Sequence, residues 1–175
     1  MSSIDTLSYN RAGQVFTGAN ISAKIITVVG TSMTGGILYN PVGSGKKCII
    51  LTAGFAWTTI PPSAQAIGLA LGAASIIIPA STTVATTSTQ AADGSGAVGA
   101  AKFYDVATLP VAPVACRWFG GAAWVTGGTG EAPYCILDKI DGELGLVPGA
   151  SLSFCMIGGT GPTGLASMSW IEVGM

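Results

Sequence analysis

The side chains able to do chemistry in this 175-residue sequence are few and poorly assorted. There is no histidine, which excludes every Ser-His or Cys-His catalytic arrangement and every imidazole metal site. The four cysteines, Cys48, Cys116, Cys135 and Cys155, include no C-x-x-C pair, so zinc would need thiolates gathered from distant segments. Cys48 and Cys155 lie inside apolar runs (Cys48-Ile49-Ile50-Leu51 and Phe154-Cys155-Met156-Ile157), which reads the cysteines as buried free thiols acting as small apolar side chains. Two disulfides would require export, and Met1 to Gly13 carries Asp5 and no apolar core of a secretory signal.

Acidic residues cluster only at Glu131, Asp138, Asp141 and Glu143. Two carboxylates across a cleft would suit glycoside hydrolysis, and six or more oxygens would suit calcium. The run from Asp138 to Glu143 lacks the alternating ligand spacing of an EF-hand, and a solvated turn accounts for the same residues. Gly43-Ser44-Gly45-Lys46-Lys47 resembles a phosphate loop at first sight. However, Asn40 stands where the first glycine belongs, Lys47 replaces the magnesium-binding hydroxyl, and a strand follows rather than a helix. Ser44 and Lys47 also fit S-x-x-K, but the S-D-N and K-T-G companions of that motif are missing. No catalytic, cofactor-binding or metal-ligating residue is assigned, and the sequence is read as that of a non-enzyme.

Trp57, Trp118, Trp124 and Trp170 are the remaining candidates, as stacking platforms for a sugar. Each sits in an apolar segment with no polar partner set beside it, so packing in a core or interface is the expected use. Asn20-Ile21-Ser22 fits a glycosylation sequon without an accompanying export signal.

The elements that would position these residues are short strands. The chain carries seven Lys or Arg and eight Asp or Glu, 9% charged, against roughly 25% in ordinary soluble domains. A net charge of −1 removes the electrostatic case for nucleic acid. So little charge suits a bilayer or extensive contact between subunits. Between Cys48 and Ala92 there is no charge at all, but the most apolar stretch, Ala66 to Ile78, falls short of the ~20 residues of a membrane helix. Gly68 and Gly72 match the small-xxx-small spacing of packed membrane helices, yet Ile67, Leu69 and Leu71 alternate with Gly68, Ala70 and Gly72, the period of a strand. A soluble, cytoplasm-made protein is expected.

With 26 glycines, no segment keeps a helical pattern over three turns. Strands are expected at Lys24–Val29, Gly36–Tyr39, Lys47–Trp57 (with Gly54 a bulge or close approach), Ala66–Leu71, Ser75–Ile78 and Val84–Thr89. In the second half they are expected at Val114–Phe119, Trp124–Thr126, Tyr134–Ile140, Glu143–Val147, Ser151–Ile157 and Met168–Val173. Asp93-Gly94-Ser95-Gly96 and Gly127-Gly128-Thr129-Gly130 read as loops. Asp141-Gly142 reads as a type I′ hairpin turn that folds Glu143–Val147 back on Tyr134–Ile140, and Pro148-Gly149 turns again. Roughly ten short strands at such spacing predict an all-β, antiparallel β-sandwich over a single domain, 1–175, with 1–13 as an N-terminal arm.

Three stretches together carry a resemblance: Tyr39-Asn40-Pro41-Val42-Gly43-Ser44-Gly45-Lys46 leading into a long apolar strand; Asp141-Gly142-Glu143-Leu144 followed by Val147-Pro148-Gly149-Ala150-Ser151-Leu152; and the closing Ser169-Trp170-Ile171-Glu172. In these the chain resembles the small, jelly-roll-like β-sandwich structural proteins of tailed bacteriophage virions, of the head-decorating or fibre type. The resemblance covers about a quarter of the chain and supplies no catalytic residues. It implies a virion protein made in the host cytoplasm, self-associating as a homotrimer and docking on partners such as the major capsid protein, without nucleic acid, membrane or cofactor. A host-glycan adhesin using the tryptophans is the alternative expectation.

Overall fold

The computed structural model describes residues 8–9, 12–59, 65–84, 89–122, 135–158 and 163–175. Thirteen strands form there: β1 Val15–Ala19, β2 Lys24–Ile25, β3 Ser32–Tyr39, β4 Lys46–Trp57, β5 Gln65–Gly72, β6 Ala80–Val84, β7 Gln90–Ala91, β8 Lys102–Thr108, β9 Val114–Ala122, β10 Cys135–Lys139, β11 Gly145–Leu146, β12 Ser151–Met156 and β13 Thr163–Gly174. Ten of these have five residues or more and three are two-residue pieces. One sheet runs β10-β4-β13-β1-β7, with β11 also on β4 and β2 on β13; the other runs β6-β8-β3-β12-β5-β9. All pairings between strands are antiparallel. The protein is an all-β sandwich.

One core joins the sheets. Phe16, Ile50, Phe55 and Trp170 from the first meet Leu38, Leu69, Phe103, Leu152 and Phe154 from the second. Phe55 and Phe154 face each other across the layer with ring centroids 5.9 Å apart. The alternation of β5 places Ile67 and Leu69 in this core, so the apolar segment is a strand. No helix among the described residues is long and apolar enough to cross a membrane. Outside the first sheet, Tyr9 of the N-terminal segment packs on a small cluster of Val15, Leu51 and Ile171.

The central pairing of β4 with β13 runs over the full length of both strands and contains a bulge between Ser169 and Trp170. Ile50 opposes Trp170 and Thr52 opposes Ser169, which leaves Leu51 as the extra residue. The extra residue changes which side chains point inward, from Cys48 and Ile50 before it to Ala53, Phe55 and Trp57 after it. The bulge therefore lies at Leu51 and not at Gly54. Gly54 is instead a close approach, since a Cβ there would lie 2.9 Å from Ser167 Oγ.

Three other expectations change. Asp141-Gly142 has the positive φ values of a type I′ turn, 47° and 85°, and Glu143 N–H bonds Ile140 O at 3.0 Å. The chain does not reverse there, however. Both β10 and β11 lie antiparallel to β4, so the turn is a loop extruded from one interrupted edge strand. Its φ requirements are those of a hairpin, which is why the dipeptide signals one. Ser75–Ile78 is not a strand: Ser75 Oγ accepts from Ile77 N–H and the isoleucines project into solvent. Lys24–Val29 shortens to β2 and an isolated bridge from Val28 to Met156. The expected strand Trp124–Thr126, the loop Gly127–Gly130 and residues 85–88 lie outside the described residues.

β5 can pair closely with β9 only because residue 68 is glycine. A Cβ at Gly68 would sit 2.2 Å from Arg117 O and 2.7 Å from Trp118 Cε3. Gly68→Ala is expected to cost ~1–3 kcal/mol, the usual penalty of forced overpacking. Gly43→Ala, where φ is 78° but no atom lies within 4 Å, pays backbone strain alone and should cost less. Urea denaturation of the two variants checks the order.

Candidate functional site

The charged and amide groups at the sandwich margins are engaged with one another. On one margin, Arg117 of β9 reaches from the second sheet to Asp138 of β10 in the first. Its Nε lies 2.5 Å from Asp138 Oδ2, and Nη1 lies 2.6 Å from Glu143 Oε2. These bonds, the one to Asp138 foremost, raise the guanidinium pKa. The pair Asp138 and Glu143 is thus brought together, but as the two arms of an ion-pair clasp between sheet edges. Asp141 stands apart at the exposed turn, and Glu131 lies outside the described residues.

A second polar bridge crosses the opposite margin. Asn20, just past β1, is buried; its Nδ2 donates to Asp105 of β8 and its Oδ1 accepts from Ala166 N–H at 2.8 Å. Lys24 Nζ completes the group 3.4 Å from Asp105. Both ends of the Asn20 amide are therefore used inside the protein, and the sequon presents no free amide to a glycan. Nearby, buried Glu172 accepts from Ala100 N–H (2.8 Å), Ala101 N–H (3.0 Å) and Trp170 Nε1 (3.1 Å), tying the segment before β8 to β13. In the sequence Asn20 stands out only as part of a sequon and Glu172 only within the closing strand, Asp105 and Arg117 carry no signal of their own, and nothing marks residues so far apart as partners.

The glycine-rich run is organised from within. Asn40, wholly buried, donates to Lys46 O at 2.8 Å and Leu146 O at 2.9 Å, while its Oδ1 accepts from Ser44 Oγ at 2.7 Å. The loop leads into β4, and the Ser44 hydroxyl is committed to it. Trp57 and Trp170 are core residues, Trp118 is 45% exposed, and Trp124 lies outside the described residues. Cys48 and Cys155 are buried and Cys116 and Cys135 exposed, all four as free thiols. The expectation of burial thus holds for two of the four. Among the described residues no three His, Cys, Asp or Glu side chains converge as metal ligands.

What is left open is apolar. A cleft of about 430 Å³ lies at the margin near the Arg117 clasp, lined by Leu71, Ala74, Val114, Cys116, Val147 and Ala150 among others. Beside it the loop after β5 exposes Ile76, Ile77 and Ile78. This arrangement can exclude water from an apolar partner; it offers no nucleophile with a base and no pair of free acids. An all-β sandwich with an apolar marginal cleft is the class of protein these features define. Comparison with known proteins finds no matching family, no matching curated protein and no matching solved structure.

Two outcomes follow from the buried groups. Arg117→Met would leave Asp138 without its counter-ion; because the clasp is partly solvated, a loss of only ~1–2 kcal/mol is expected in denaturant melts. Burial pushes the Cys48 and Cys155 thiols up to about 12, with the Glu172 charge adding at Cys48 and Cys116 adding at Cys155. Unfolded thiols ionise near ~8.5, so between there and about 12 the unfolded chain releases protons that the folded chain keeps, and stability falls as pH rises. Melting temperature under reductant should decline from pH 9 upward, and less steeply in a Cys48→Ala/Cys155→Ala variant.

Proposed function

We propose that this chain is a non-enzymatic structural subunit of a tailed-phage particle, assembling as a homotrimer and docking on other virion proteins such as the major capsid protein. The observation that carries the reading is where the protein keeps its polarity. Arg117, Asp105, Asn20 and Glu172 are spent on holding the sheets together, while isoleucine and valine side chains face outward. A subunit whose task is contact area needs that distribution, whereas an enzyme needs free polar groups in a cleft. The phage assignment itself rests on the turn-and-strand resemblance described above. Mass spectrometry and image reconstruction of the particle test it: many copies at fixed positions support the proposal, and absence from the particle refutes it.

A host-glycan adhesin is the second reading, favoured by Trp118, which is exposed on the outward side of β9. Its neighbour Arg117 is already paired with Asp138 and Glu143, so that side chain is not free to serve the platform. Glycan-array binding abolished by Trp118→Ala would favour the adhesin.

Because few charges are available for an interface, self-association should be nearly indifferent to salt. Salt screens exposed ion pairs over a Debye length of ~8 Å at physiological strength and leaves apolar burial largely intact. Sedimentation in low and in 1 M sodium chloride is expected to give the same oligomer; dissociation at high salt would contradict an apolar interface.

A further inference from the structure

The loop after β5 and the cleft beside it are complementary in chemistry but do not satisfy each other within one chain. Ile76, Ile77 and Ile78 are 88, 64 and 69% exposed, although Ala74, two residues before them, already lines the cleft. Ser75 fixes this outward course. Its N–H donates to Gly149 O at 3.2 Å, and its Oγ accepts from Ile77 N–H at 3.0 Å. The loop is thereby held away from its own cleft, with three branched apolar side chains in water.

We infer that copies of this chain join by seating the Ile76–Ile78 loop of one in the apolar cleft of the next, a contact that rests on the self-assembly proposed above. Area supports a second copy as the occupant. Three isoleucines at these exposures present on the order of 400 Å², as much as the largest apolar patch of an ordinary monomer. Val114 at 72% and Val147 at 40% exposure extend the patch along the cleft itself. When a copy gives its loop to one neighbour and its cleft to another, both surfaces are covered. Summed over its two contacts, each copy then buries on the order of 800 Å², the share of one partner in a single standard interface; each contact alone is about half that size, and closing the ring supplies the rest. The cleft volume of about 430 Å³ leaves room for more than one aliphatic side chain. Three of the charged groups at this margin, Arg117, Asp138 and Glu143, are bonded to each other rather than turned toward the cleft. Such a contact is heterologous, and it closes into a ring when the rotation between copies allows, as a trimer requires.

The test uses the full chain with Cys135→Ser, which leaves Cys116 in the cleft wall as the accessible thiol. Light scattering should find an oligomer. Ile77→Asp on the loop and Val114→Glu in the cleft should each weaken association by at least about tenfold, as charge buried in an apolar contact does. Both positions are exposed in the single chain, so circular dichroism and melting should be unchanged. Maleimide labelling of Cys116 should be several-fold faster in Ile77→Asp than in the parent oligomer. An oligomer that survives both substitutions with Cys116 labelling unaltered overturns this contact while leaving self-assembly standing. Dissociation by one variant and not the other also overturns it, because loop and cleft would then not be partners. A parent chain that is monomeric at every concentration overturns both the contact and the assembly it rests on.

Discussion

The antiparallel pairing of β4 with β13 is the constraint on which the rest of the sandwich depends. These two strands supply Ile50, Phe55, Trp57, Met168 and Trp170 to the shared core, and every other strand of the first sheet except β7, which pairs with β1, pairs with one of them. Leu51 lets β4 present Cys48 and Ile50 on one phase of the pleat and Ala53, Phe55 and Trp57 on the other. Without the extra residue one half of the strand would turn its apolar set outward. The same point on β4 is where the edge chain loops out at Asp141-Gly142, so the irregularities on its two sides coincide.

A chain with so few charges still places Asp105 and Glu172 inside, and the reason is the margin of a two-layer fold. Along its sides the sheets part, and backbone groups such as the N–H of Ala100, Ala101 and Ala166 would face a low-dielectric gap. Glu172 and Asn20 supply their acceptors. Arg117 does the corresponding work between two edge strands, β9 and β10. Buried polar groups left unpaired are costly, and paired ones fix the relative placement of the layers. Polar side chains here serve geometry.

Much of the architecture is legible in the sequence, and the failures have physical causes. The alternation of Ile67, Leu69 and Leu71 with small residues gives β5 directly, and Pro148-Gly149 turns as its residue types require, with Gly149 at φ 86°. β8 escaped because Asp105 occupies an inward position of Lys102–Thr108, where an apolar residue would have completed the pattern. The paired turn residues at 141 and 142 report backbone angles and cannot report whether the chain reverses. Ser75–Ile78 has strand propensity but no neighbour to pair with, and propensity without a partner makes no sheet. The cleft is built from residues of β5, β9 and β11, three segments that only the tertiary fold brings together.

The distance along the chain between β4 and β13 also sets a timetable for synthesis. Gly54 pairs with Ser167, more than a hundred residues later, so β4 leaves the ribosome long before its central partner exists. At ~5–20 residues per second that interval is on the order of ten seconds. Throughout it, a twelve-residue strand bearing Ile49, Ile50, Leu51 and Phe55, with no charge beyond Lys47, stands with an open edge. Such an edge is a template for pairing with any other nascent copy. Translation on one messenger places such copies side by side, and a protein with this topology has to rely on shielding of the emerging chain until its last strand arrives.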